Sequence, residues 1–428
     1  MNWWAVALLI LLVLAIGLTP RIPIGTVDGL GRIIDIRGED ILMLVLIPVW
    51  FFAFLRSRKK DIPLLAPILF WLGIGLVSLL VNWLFLDGNI ARGIFYYAKE
   101  LQFFFVYFFT FLFISGLAVS NLLMRVWLGV GLANISWVFY QLFFTERGFG
   151  EYGTAALNEW GVFPTGSFFL ILFVFLFNWW LYSYWKQGEI SEQKQYLYLI
   201  AILSIIIGIL GALSKTAIYG FWFALAISLA LYVWNTRTLK TAVASSLLFA
   251  GVGAFTFGAY FSLILPNFPG ADRIISINSA SQLYHEIKRV RLDDEIIPQM
   301  QEAFLQANQH PILYAIGHGK GAILTSPESH NQYLRNFVET GIAGSMIFIA
   351  LIISILLAAW KRFNSSENTL AAGLSSGIIA ATLTMLFISL AADAFIVVKL
   401  NMTYWFFMGL AMAMLYKNIN GNTETKRN

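Results

Sequence analysis

The sequence predicts an all-α polytopic membrane protein. Of its 428 residues, 59% are hydrophobic and only 12% are charged, and the mean hydropathy is +0.74. Soluble domains carry about 25% charged residues. Apolar runs of about 20 residues, the length that crosses the hydrocarbon core, recur along the chain. Backbone in lipid must satisfy its own hydrogen bonds, so these runs are predicted to be helices, and the alternating short strands of a β-barrel are absent.

About twelve transmembrane helices are predicted from runs of the required length. The first run is expected to be a retained span, because no basic segment precedes it and no small-residue cleavage site follows it. The predicted spans are 3–19, 40–55, 62–86, 94–114, 119–144, 162–184, 197–214, 217–234, 241–265, 340–360, 369–391 and 394–416.

Basic residues predict the orientation of these spans, because short cytoplasmic loops are enriched in lysine and arginine. Such residues follow spans two, six, eight, ten and twelve, as in the run Arg56–Lys60, so a single orientation accounts for all of them. Both termini are then cytoplasmic. The chain reads as a single integral-membrane domain, 1–428, with a long inserted loop, 267–338, on the outer, periplasmic face.

The composition also narrows the chemistry. The chain has no cysteine, which excludes disulfides, thiolate catalysis and cysteine-ligated metals. The net charge of +5 is explained by the orientation bias at helix ends, so no nucleic-acid partner is expected. We predict no metal site and no cofactor, since Asp293–Asp294 suits the start of a helix and would bind a cation weakly on its own.

The long loop has the pattern of a folded segment that contains short amphipathic helices. Apolar residues recur at helical spacing from Ile296 to Leu305, which predicts a helix lying on the membrane surface or on the bundle. A chain break at His310–Pro311 and a turn-rich run, Gly317–Gly321, follow it. All four histidines of the chain fall in this loop, so we expect the chemistry to take place there.

The end of the loop carries the most specific pattern in the sequence. Ser329 to Gln332 has the form of a capping box, which makes His330 the first residue of a helix. The positive end of a helix dipole favours a neutral imidazole, which a general base requires. The alternative is a surface histidine that merely starts a helix. Gly341 and Gly344 open the next span, where small residues allow close helix packing.

The string His330-Asn331, nine residues, Gly341, two residues, Gly344 resembles the motif of the O-antigen ligase and O-antigen polymerase family. Its position in a long outer loop before the tenth of twelve spans extends the resemblance over most of the chain. The resemblance implies a GT-C-like glycosyltransferase. Such enzymes move a glycan, with inversion and without a metal, from undecaprenyl diphosphate to an acceptor hydroxyl, which belongs to lipid A-core for the ligases.

The resemblance also implies which side chains take part. His330 is expected to deprotonate the acceptor, with Asn331 in support. The family has a Ser-Arg pair between spans seven and eight; this chain has Ser214-Lys215, which keeps the charge but loses the bidentate fork. A lysine that snorkels to the interface is the alternative.

A second basic residue of the family lies in the long loop. By position Arg291 matches this residue, with Arg289 and Arg273 as competitors. The basic cluster also fits a solvated face or a contact with lipid headgroups. Asp393, between spans eleven and twelve, is a candidate to orient His330 or to bind acceptor hydroxyls, and a plain loop aspartate is the alternative.

Lys99 and Glu100 lie a turn or more inside the fourth predicted span, where charges are costly and usually face a cavity or a partner. Lys99 is a candidate to line the channel of the lipid diphosphate; the alternative is a structural arrangement in which Glu100 pairs with a lysine of a neighbouring helix. For Lys399 in the twelfth span the same two alternatives apply, a role in the cavity or a structural pairing.

The sequence therefore predicts an O-antigen ligase-like enzyme of the bacterial inner membrane. Its partners are an undecaprenyl-diphosphate-linked glycan donor, a lipid-anchored or glycan acceptor, and membrane lipid. An O-antigen polymerase remains open, because it has the same motif and topology. A transporter or flippase of lipid-linked oligosaccharides is the rival from another class, although the paired repeats common in transporters are not seen.

Overall fold

The architecture was established from a computed structural model. It describes residues 3–19, 21–26, 33–56, 61–85, 90–144, 162–185, 192–267, 301, 305, 307–308, 310–321, 331–365 and 369–424.

Helices dominate the described chain. In order they are α1 (Trp3–Leu18), α2 (Gly38–Arg56), α3 (Leu65–Phe85), α4 (Ile90–Phe113), α5 (Leu117–Phe144), α6 (Val162–Trp185), α7 (Glu192–Gly211), α8 (Lys215–Thr236), α9 (Leu239–Ala259), α10 (Ile312–Ile316), α11 (Gln332–Ser365), α12 (Thr369–Ile388) and α13 (Val398–Glu424). A π-helical turn, Tyr260–Ile264, and a short helix, Leu265–Asn267, continue α9, and a 3-10 turn, Ala394–Ile396, precedes α13.

Each predicted span coincides with one of these helices, α10 being the short additional one. Within the residues that the structure describes, nine helices are long and apolar enough to cross a membrane, and α1 and α7 are shorter apolar helices. The remaining one, α4, carries Arg92, Lys99 and Glu100. The prediction of a multi-pass, helical membrane protein is thus confirmed at the level of its architecture.

One short β-hairpin, which the sequence did not predict, interrupts the helices between α1 and α2. Strands β1 (Arg21–Thr26) and β2 (Ile33–Arg37) form an antiparallel pair in which Arg21 lies opposite Arg37. The two strands have only six and five residues. An alternation of apolar and polar residues over so short a length is not distinct in a sequence of long apolar runs. The register shifts between Pro23 and Gly25, which further interrupts the alternation.

The centre of the bundle is α6, surrounded by α12 and α13. Every residue in the apolar window of α6 is buried, and 83% and 94% of the windows of α12 and α13 are buried. A helix that is apolar all round and enclosed by others forms the core of a bundle. By contrast, only 17% of the α2 window and 22% of the α9 window are buried, so these two helices lie at the periphery.

Helix α11 starts earlier than the predicted span and is kinked. Its first residue is Gln332, and its regular geometry is broken at Gly341, where φ is 65° and ψ is −165°. At 1.5 Å per residue, its 34 residues would extend about 51 Å, well beyond the roughly 30 Å hydrocarbon core. The kink separates a first part, Gln332–Thr340, which we call the motif helix, from the long remainder.

Candidate functional site

Several helix termini meet at one end of the bundle. The backbone N–H of Gln332 donates to the carbonyl of Ser389 over 3.1 Å, which joins the start of α11 to the end of α12. Lys399 Nζ donates to the carbonyl of Thr19 over 3.0 Å, which joins α13 to the end of α1. Gly220, near the start of α8, packs against Ile388. The starts of α8, α11 and α13 and the ends of α1 and α12 therefore share this end.

Asn331 caps the motif helix. Its Oδ1 accepts the backbone N–H groups of Tyr333, at 3.0 Å, and Leu334, at 3.1 Å. The predicted capping box is therefore wrong in register, because the cap is Asn331 and the first helical residue is Gln332 rather than His330. His330, Arg289 and Arg291 lie outside the described residues.

Gly341 has a conformation that other residues rarely adopt, in addition to the close packing that the sequence predicted. A Cβ on Gly341 would lie 2.5 Å from the carbonyl carbon of Ala315 and 2.6 Å from the backbone nitrogen of Gly317. The kink thus brings α11 into backbone contact with the segment after α10. At Gly344, the space for a Cβ is filled by the side chain of Thr340, 2.0 Å away.

The turn-rich run Gly317–Gly321 is buried in the bundle rather than being an exposed turn. Gly317, Gly319 and Gly321 all have positive φ, and the backbone N–H groups of His318 and Gly319 donate to the carbonyls of Val338 and Glu339. We call these five residues the glycine segment. The sequence predicted a turn-rich run here, and its alternating glycines were the signal of the unusual backbone.

A chain of buried ion pairs joins the glycine segment and the motif helix to the rest of the bundle. Lys320 Nζ lies 3.1 Å from Glu100 of α4 and 3.8 Å from Glu339. Arg335 lies 2.8 Å from Glu339 and 3.3 Å from Asp393. Buried charges persist only where partners and hydrogen bonds compensate their desolvation, so this cluster fixes the geometry of the elements it joins.

Aromatic rings complete the surroundings of the two buried cations. Lys320 Nζ lies 4.4 Å from the ring centre of Trp71, and the guanidinium of Arg335 lies 5.3 Å from that of Tyr96. Trp71 Nε1 also donates to Glu100 over 2.5 Å. Because each of them is buried and held between two carboxylates, Lys320 and Arg335 are poor candidates for binding an anionic substrate.

Two earlier expectations can be compared with this cluster. Asp393 is buried and paired with Arg335, so the alternative of a plain loop aspartate is wrong; a contact with His330 lies outside the described residues. Glu100 does pair with a lysine, but Lys320 comes from the glycine segment and not from a neighbouring helix. Sequence reasoning missed Lys320, Arg335 and Glu339 as members of a site.

Lys99 lies beside a large groove between α2 and α4. Its Nζ lies 2.6 Å from Oδ1 of Asp40, which also accepts a 2.7 Å hydrogen bond from Gln102. The groove has a volume of about 880 Å³ and is otherwise lined by apolar side chains, among them Ile47 and Phe105. Lys99, Asp40 and Gln102 therefore form a polar edge on an apolar groove.

Ser214 and Lys215 begin α8. The hydroxyl of Ser214 accepts the backbone N–H of Ala217 over 3.3 Å, so the serine is the N-cap. Lys215 is the first helical residue and is half-buried. A helix N-terminus with a cation beside it is a favourable place for phosphate oxygens.

No protein-family model matches the chain, and no curated protein matches it. Among the described residues, no cluster of three metal-ligating side chains is present. A functional assignment therefore depends on the motif, the helix arrangement and the chemistry of the side chains themselves.

Proposed function

We propose that the protein is a membrane glycosyltransferase that moves a glycan from undecaprenyl diphosphate to an acceptor hydroxyl. The resemblance to O-antigen ligases carries the proposal, through the string His330-Asn331, Gly341 and Gly344. The reaction takes place on the outer face of the bacterial inner membrane, in a GT-C-like architecture. The acceptor is lipid A-core or a similar lipid-anchored glycan.

The position of His330 in the sequence, directly before the cap of the motif helix, supports a role as general base. Asn331 caps that helix and Gly341 ends it, so both ends of the helix that follows His330 are defined. In the proposed step the imidazole takes the proton of the acceptor hydroxyl, and the acceptor oxygen forms a bond to the anomeric carbon. The bond between that carbon and the diphosphate oxygen breaks, and undecaprenyl diphosphate leaves.

The charge that develops on the diphosphate needs fixed positive partners. Lys215 is proposed for this role because it lies at the N-terminus of α8, at the same end of the bundle as the motif helix. Arg291, or its neighbour Arg289, is the proposed second cation from the loop. Ser214 contributes by holding the first turn of α8 in place.

The groove between α2 and α4 supports a lipid-linked donor. Its volume of about 880 Å³ and its apolar lining suit a hydrocarbon chain that enters sideways from the bilayer. A lipid-linked donor has a polar diphosphate at the end of its hydrocarbon chain. The polar edge formed by Lys99, Asp40 and Gln102 is where we place the junction between the two. We therefore assign the groove to the isoprenoid chain and Lys99 to the approach of its diphosphate.

The decisive experiment is turnover by the purified protein in nanodiscs, with a diphosphate-linked donor and candidate acceptors. His330→Ala should lower kcat by a factor of about 10² or more, the usual contribution of a general base. His310→Ala is the matched control, since His310 is an exposed histidine of the same loop and should leave turnover unchanged. Unchanged turnover in His330→Ala would remove the assignment of the base.

The same assay tests the cation at α8. Loss of one electrostatic contact to a developing charge typically costs a factor of about 10² to 10³ in kcat. We expect a loss of this order in Lys215→Met, and we expect Lys215→Arg to keep most of the activity because the charge is retained. Equal activity in Lys215→Met and the parent protein would favour the interfacial lysine instead.

The products distinguish the two members of the family. A ligase makes one transfer to a lipid A-core acceptor, whereas a polymerase gives a ladder of lengthening lipid-linked repeats. A reporter fused at residue 300 tests the topology, because a cytoplasmic signal there would contradict a site on the outer face. Movement of intact donor across the membrane without transfer would instead support the flippase.

A further inference from the structure

A small cavity lies beside the buried ion pairs. Its volume is about 30 Å³, and its walls come from α3, α4, the glycine segment, α11, the 3-10 turn and α13. Aromatic residues such as Trp71 and Trp405 form much of the wall. A cavity needs about 10–15 Å³ to hold one water molecule, so this one has room for one or two.

Three polar side chains of this wall have hydrogen-bonding capacity left. Asn336 Nδ2 and Asn401 Oδ1 are buried and have no hydrogen-bond partner among the residues that the structure describes. Glu100 Oε2 is ion-paired with Lys320 at 3.1 Å and, as a carboxylate oxygen, can accept a further hydrogen bond. Asn336 and Asn401 are 2% and 1% exposed. Buried polar groups are nearly always paired with protein or with ordered water, so two unpaired amide atoms and a carboxylate oxygen in the wall of one cavity indicate a common ligand.

The orientation of both amides is fixed by their other atoms. Asn336 Oδ1 accepts from Gln332 Nε2 over 2.8 Å, and Gln332 Oε1 in turn accepts the backbone N–H of Phe395 over 3.0 Å. Asn401 Nδ2 donates to the carbonyls of Ala394, at 2.9 Å, and Val397, at 3.0 Å. The unpaired atom of Asn336 is consequently the amide nitrogen, Nδ2, which is a donor. The unpaired atom of Asn401 is the amide oxygen, Oδ1, which is an acceptor.

We propose that this cavity is a binding site for one ordered water molecule. The water donates its two hydrogens to Asn401 Oδ1 and Glu100 Oε2 and accepts one from Asn336 Nδ2. These three hydrogen bonds are the number that a buried water typically makes. A cation is a poorer ligand, because Lys320 Nζ lies 3.1 Å from Glu100 Oε2 and repels positive charge there.

The water joins three elements of the bundle. Glu100 belongs to α4, Asn336 to the motif helix and Asn401 to α13. The bridge therefore ties the middle of the motif helix to the two helices behind it. It is independent of the glycosyltransferase assignment, because it follows from hydrogen bonding alone.

Radiolytic hydroxyl labelling in ¹⁸O water tests the site in the full-length protein in nanodiscs. A bound water generates label on adjacent side chains that bulk solvent does not reach. Trp71 and Trp405 should be labelled although they are only 4% and 3% exposed, whereas Trp127, which is fully buried elsewhere, should not be. Asn336→Leu should remove the label from both. Label on neither tryptophan of the parent protein would overturn the proposal.

A double-mutant cycle gives a second, independent readout. If Asn336 and Asn401 hold the same water, Asn336→Leu and Asn401→Leu together should lower the unfolding midpoint by less than the sum of the single shifts. Asn178→Leu is the control, since Nδ2 of that buried amide donates directly to Ser228 and Oδ1 accepts from Ser376. Its shift should add to that of Asn401→Leu. Additive shifts in both pairs would contradict a shared water.

Discussion

Substitution of Gly341 by alanine should destabilise the protein far more than a single methyl group suggests. The backbone at Gly341 has φ 65° and ψ −165°, a region occupied almost only by glycine, and holding another residue there costs about 1–3 kcal/mol. The added Cβ would also lie 2.5 Å from the carbonyl carbon of Ala315. Because that neighbour is backbone, it cannot rotate away, and overpacking of this kind costs about 1–3 kcal/mol more.

The expected loss is therefore about 2–6 kcal/mol in the free energy of unfolding. That is a large part of the roughly 5–15 kcal/mol by which folded proteins are usually stable. Equilibrium denaturant unfolding in detergent measures the change. Limited trypsin digestion gives a local readout, because release of the glycine segment would expose Lys320, which is only 7% exposed in the intact fold.

Gly129→Ala is the matched control. Gly129 lies within α5, and a Cβ there would meet nothing within 4 Å. Alanine is favoured over glycine in a helix interior by up to about 1 kcal/mol, so this variant should be as stable as the parent or slightly more so. If Gly341→Ala unfolds at the same denaturant concentration as Gly129→Ala, the kink does not require glycine and the reasoning fails.

Three further substitutions have expected outcomes. Arg335→Met should lower the free energy of unfolding by about 3–5 kcal/mol, because it breaks a buried ion pair with Glu339. Denaturant titration should show a smaller loss for Arg335→Lys. Equal stability of the parent protein and both variants would contradict this. Asn331→Ala should cost about 1 kcal/mol through loss of the cap, and Asn331→Asp should restore it, as measured by unfolding. Ser214→Ala should likewise cost about 1 kcal/mol, with Ser214→Thr close to the parent; a thermal scan that separates neither variant from the parent would argue against capping.

Sequence reasoning found the spans because the length and apolar character of a crossing helix are local properties. The predicted span 162–184 and the observed Val162–Trp185 differ by one residue. The capping-box pattern predicted a helix from His330, but the tenth span was placed from residue 340, eight residues after α11 begins. Charged Arg335 and Glu339 lower the local hydropathy although both are buried. A buried ion pair and a solvated polar segment look the same in a hydropathy profile.

The partners within the candidate site could not be predicted for a different reason. Glu100 was recognised as a costly charge inside a span, which a local rule can detect. Its partner, Lys320, lies 220 residues later in the chain, and the choice of partner is made by the packing of α3, α4 and the glycine segment. Lys99 also has a partner from another helix, Asp40. Unlike Lys320, however, Lys99 lies beside an apolar groove.

The spacing of the motif has a structural meaning that changes how its variants must be interpreted. Asn331 caps the motif helix and Gly341 ends it, and the nine residues from Gln332 to Thr340 make about two and a half turns between them. Asn331 and Gly341 thus have roles in folding that would by themselves account for lost activity on substitution. A catalytic role can be assigned to a residue only where its substitution lowers turnover and leaves the unfolding midpoint unchanged. We expect that separation for His330→Ala, and an unfolding loss parallel to the activity loss for Gly341→Ala.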